Sequence, residues 1–116
     1  MFMIMFVLDK PRLLDKLLES WQQGGINGAT IVDSTGIQRQ LKKRADLHLH
    51  YLFTPVSVGA EHGNLTLFVI VEEETMIQKC LEATEMVTGD LELPDSGVFA
   101  VWPLSFVKGI HKGTAE

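Results

Sequence analysis

His48 and His50 stand two residues apart, and His62 follows in the same polar stretch. On an extended backbone, side chains two apart share a side, and imidazoles grouped in this way suit copper, nickel or zinc. The same spacing in a polar loop is also that of solvated side chains, so a metal site on His48 and His50 is the alternative reading. Just upstream, Lys42, Lys43 and Arg44 form the strong cationic run of the chain. It is either a solvated loop segment or a contact for phosphate or for an acidic patch on a partner. Cys80 is the only cysteine, which excludes an internal disulfide and fits a reducing compartment. It falls on the apolar stripe of a helix with no basic neighbours, as a small core residue does and a reactive thiolate does not. Ser34 and Asp33 belong to no recognisable catalytic signature, and joining them to the histidines would span a long loop without fixed geometry. No enzyme is expected.

Length and composition limit what can position these groups. A chain of 116 residues is one domain. With 46% hydrophobic and 22% charged residues and no apolar run of about 18, it has the composition of a globular protein without a membrane span. The apolar start MFMIMFVL has no basic segment before it and meets Asp9 and Lys10 at once, so it reads as a strand rather than a secretory signal. A net charge of −5 argues against nucleic-acid binding, which needs a positive surface.

The pattern along the chain predicts strand, helix, strand, strand, helix, strand. Residues 1–8 form a buried strand. Asp9 is the expected cap of a helix with Pro11 in its first turn and Leu13, Leu14, Leu17, Leu18 and Trp21 on one stripe, ending at Gly24-Gly25. Strand two covers 29–32 and weakens near 34–36. Residues 37–64 carry no clean period, and a connection this long in a small domain is commonly functional. Strand three covers 65–71; Glu72, Glu73 and Glu74 then open a helix carrying Ile77, Cys80, Leu81, Thr84 and Val87. Gly89 stops that helix, and 98–102 make the last strand before Pro103.

This order predicts an α+β fold: a ferredoxin-like βαββαβ sandwich, with a four-stranded antiparallel sheet and two helices on one face. Apolar residues at consecutive positions in 67–71 and 98–102 place hydrophobic side chains on both faces of that sheet. The helices bury only one, so self-association is expected through the other, the alternative being that residues 37–64 fold back over their own sheet.

In their order and separations these residues resemble the PII family of nitrogen-regulatory signal proteins, and more closely its PII-like branch. The resemblance lies in the leucine-rich helix running into Gly25-Ile26-Asn27-Gly28-Ala29-Thr30, in Gly36-Ile37-Gln38-Arg39-Gln40, in Thr88-Gly89, and in Gly97-Val98-Phe99-Ala100-Val101. It implies a cytoplasmic homotrimer that binds an adenine nucleotide, as ligand rather than catalytic cofactor, in clefts between subunits. It also implies that 37–64 is an effector loop acting on a protein target such as a membrane transporter or an enzyme. Matched by position, Thr30 is the threonine near the adenine. Gly36, Gln38, Arg39 and Gln40 lie at the base of the loop, where backbone amides and a guanidinium meet phosphate. Gly89 and Gly97 belong to the loop after the second helix, and His111 to the C-terminal phosphate-binding stretch, with Lys108 and Lys112 as replacement cations.

Departures from the family pattern modify these expectations. Gln38 and Ile37 replace a glycine and an aromatic, Val98 stands where a phosphate-binding lysine belongs, and Gly109 and His111 stand where two arginines belong. The loop after the second helix is longer and gains Asp90 and Glu92. Each lost charged contact is worth about 1.5–3 kcal/mol, so ADP or AMP is favoured over ATP. The family's modified tyrosine motif is absent, and Tyr51 lies in a different context.

Overall fold

The computed structural model describes residues 1–37, 41 and 63–110. Among them the elements are β1 (Phe2–Leu8), a 3-10 turn (Pro11–Leu13), α1 (Leu14–Gln23), β2 (Thr30–Ser34), β3 (Asn64–Val71), α2 (Glu74–Thr88) and β4 (Val98–Pro103). The strands form one antiparallel sheet in the order β2-β3-β1-β4. The architecture is α+β and compatible with the expected ferredoxin-like sandwich.

Period two along β1 decides which side chains are buried. Ile4, Phe6 and Leu8 are inaccessible to solvent, and their β3 partners Val69, Leu67 and Leu65 face the same way. Leu17 and Trp21 of α1 and Cys80 and Ala83 of α2 cover this side and complete the core. Polar bonds tie the helices together within it. Trp21 Nε1 donates to Thr84 Oγ1 at 2.8 Å, Thr84 Oγ1 donates to the Cys80 carbonyl at 2.6 Å, and Ser20 Oγ donates to the Ala83 carbonyl at 2.7 Å.

Local chemistry shifts several boundaries from their expected places. Proline disfavours helical backbone in the residue before it, so Lys10, extended at φ −116°, takes the cap position expected for Asp9, and a 3-10 turn precedes α1. β2 starts one residue late but persists to Ser34, two residues beyond the expected end. There Ser34 Oγ donates to Asn64 Oδ1 at 2.6 Å and lies 2.8 Å from the Thr66 hydroxyl, fastening the last rung. β4 takes in Pro103, whose missing donor is tolerated at the end of an edge strand. At the end of α1, Gly25 adopts φ +88° while Ile26 N–H reaches back to the Trp21 carbonyl at 2.8 Å, which turns the chain toward β2.

The alternate residues point the other way. Met3 and Met5 of β1, Phe68 and Ile70 of β3, and Ala100 and Trp102 of β4 share the face opposite the helices. They lie outside the helix-side core, and Trp102 is 40% exposed. Neither helix reaches this face.

Candidate functional site

The matched residues within the described part of the chain fall on two edges of the sheet. Thr30 opens β2, exposed, directly opposite Phe68 and on the face away from the helices. Gly36 lies just past the end of β2 in open surroundings. At the other edge, Gly89 ends α2 at φ +83°, its N–H donating to the Glu85 carbonyl at 2.9 Å. Gly97, at φ +123°, leads directly into β4. A Cβ at Gly97 would sit 2.6 Å from the Val7 carbonyl and 2.9 Å from the Phe6 ring, so close approach to β1 requires glycine here.

β3 and β1 separate the two edge strands, which puts them about 14 Å apart at ordinary strand spacing. Register places Gly36 and Gly97 at one end of the sheet, since Ser34 pairs with Asn64, Leu65 with Leu8, and Val7 with Val98, while Thr30 lies further in, level with Phe68, Met5 and Ala100. Within the described part of a single chain, Gly36 and Gly97 therefore lie at one end of the sheet on opposite edges.

Lys108 is exposed in the segment after β4. That segment departs from the other end of the sheet, where Leu104 N–H donates to the Met1 carbonyl at 2.9 Å. Gln38, Arg39, Gln40, His111 and Lys112 lie outside the described residues, as do Lys42, Lys43, Arg44 and the metal candidates His48 and His50 with His62. Among the described residues, no three His, Cys, Asp or Glu side chains come together to hold a metal, and no helix is long and apolar enough to cross a membrane.

Two features of the site escaped the sequence reading. On the helix side of the sheet a cleft of about 350 Å³ opens between the turn after α1 and the end of β3, with Ile26, Gly28, Val69, Val71, Glu73 and Met76 among its walls and Thr30 outside it. It depends on the turn after α1 meeting the end of β3, residues distant in sequence, which no local periodicity records. The second is the order within the lengthened loop after α2. Leu91 N–H donates to Glu85 Oε2 at 3.0 Å, Glu92 N–H to Asp90 Oδ1 at 2.9 Å, and Leu93 N–H to the Asp90 carbonyl at 3.1 Å. Asp90 thus folds the loop, while Glu92 and Asp95 stay exposed and make the β4 edge anionic. Val98, 57% exposed, contributes an apolar surface beside them.

The chain matches no known protein-family profile and no curated protein.

Proposed function

We propose that the chain is a PII-like signalling protein of the cytoplasm: a homotrimer that binds an adenine nucleotide between subunits and acts on a protein target through residues 37–64. One observation carries this reading. The matched residues Gly36 and Gly97 lie at one end of the sheet on opposite edges, and among the described residues no helix covers the largely apolar face between those edges. Copies packed through that face about a threefold axis would set the β2 edge of one beside the β4 edge of the next. Thr30 would then meet the base, and Gly36 with Arg39 the phosphate, against Gly89 and Gly97 of the neighbour.

The anionic β4 edge, with Glu92 and Asp95 exposed, disfavours a ligand of high negative charge. AMP and ADP are the expected effectors, ahead of ATP. The target, a transporter or an enzyme, receives the signal as a change in the 37–64 segment.

Light scattering at micromolar concentration should give the mass of three chains, and calorimetry should show AMP and ADP binding. A monomer, or no heat with any adenine nucleotide, would refute the proposal. Arg39→Ala should weaken the phosphate-bearing ligands by about tenfold or more, as expected for loss of a charge-assisted bond.

A further inference from the structure

A groove of about 280 Å³ lies between the first turns of α2 and the β1–β4 side of the sheet, at the end opposite Gly36 and Gly97. Phe2, Ile77 and Val101, each partly buried against the core, make it apolar, and Trp102 adds an aromatic wall. Glu74 and Gln78, one helical turn apart on α2 and both exposed, form its polar rim. An apolar cavity of about 150 Å³ already accepts a benzene ring, so this groove has room for an aromatic side chain.

The segment after β4 supplies such a ring. Leu104 N–H is held by the Met1 carbonyl at 2.9 Å, yet Phe106, two residues on, is 78% exposed, the most exposed aromatic side chain among the described residues. The groove of its own chain begins three residues back, at Pro103, and does not hold it. Lys108 follows two residues later, exposed and opposite in charge to Glu74. Two residues of chain span at most about 7 Å, so a ring seated in the groove leaves the ammonium within reach of the rim. We propose that Phe106 of one copy seats in the α2–β4 groove of a second copy, with Lys108 against Glu74. This head-to-tail contact is heterologous, so it builds a ring where the rotation closes. It lies apart from the helix-free face and from the matched residues, and it does not depend on a nucleotide.

Sedimentation of the full chain over a concentration series reads this contact. Phe106→Ala should raise the concentration of half-assembly about tenfold or more, as expected when an aromatic side chain is no longer buried. Glu74→Lys and Lys108→Glu should each raise it about two- to fivefold, in the range of exposed ion pairs, and the two together should return it to the wild-type value. To identify the occupant, copies carrying Ser105→Cys are mixed with copies carrying Gln78→Cys and oxidised. A disulfide joining the two kinds of chain is expected, and adding Phe106→Ala to the first should abolish it. All these positions are exposed, so each variant should fold as wild type does, which circular dichroism checks. Assembly that ignores Phe106→Ala, or the absence of the mixed disulfide, would overturn the tail contact while leaving association through the helix-free face intact. A monomeric wild type would overturn both.

Discussion

Thr84 sits where the two helices meet, accepting a bond from Trp21 Nε1 and donating one to the Cys80 carbonyl. Thr84→Val keeps the shape but strands a buried indole N–H, at a cost of about 1–3 kcal/mol. Denaturant melts should show a lower midpoint with an unchanged slope. Cys80 beside it is fully buried, and burial pushes its thiol up from 9.0 to about 12, against a smaller lowering by the hydrogen bond with Thr84. The unfolded thiol ionises first, so its contribution to stability is complete below pH 9 and disappears as pH rises toward 12. Wild type should lose stability faster than Cys80→Ala between pH 9 and 11. A constant difference between the two across that window would disprove this linkage.

Among the elements, the junction of the acidic loop with β4 is the most sharply constrained. Gly97→Ala would drive a methyl group into the Val7 carbonyl and the Phe6 ring at a positive φ. A loss of about 2 kcal/mol is expected from overpacking alone, measurable by thermal unfolding. The strands and helices themselves were legible in the sequence, because their signals are local: the apolar run at Met3, Ile4 and Met5, the leucines of α1, and the glycines that stop each helix. Boundaries moved where a neighbour intervened, as Pro11 did at Lys10 and as Asn64 and Thr66 did at Ser34. Gly97 is matched to the family's loop after the second helix, yet its immediate need is room beside β1. Ala83, buried beside Cys80, was missed because a small side chain weighs little in an apolar stripe. The pairing of Thr30 with Phe68 was illegible for another reason, since register between distant strands is set only when they meet.

At the scale of the whole molecule, the helix-free face measures roughly 19 by 20 Å from ordinary strand geometry, about 400 Å². The face also carries Thr30, Ser34, Asn64 and Thr66, and as a whole it is comparable in size to the biggest apolar patches monomers usually carry. Met5 lies at its centre, between Phe68 and Ala100. Met5→Lys should leave a folded chain that sediments as a monomer, because a buried unpaired ammonium opposes association; an unaltered assembly would show that copies meet elsewhere. The division of the half-sites between two edges also has a genetic consequence. Suppose one allele spoils the β2 wall, as Arg39→Ala would, and another the β4 wall, as Val98→Asp would. In the proposed ring each would be inert when expressed alone, yet any ring that mixes them would contain one junction built from the two sound walls. Two dead alleles placed in one cell would rescue each other.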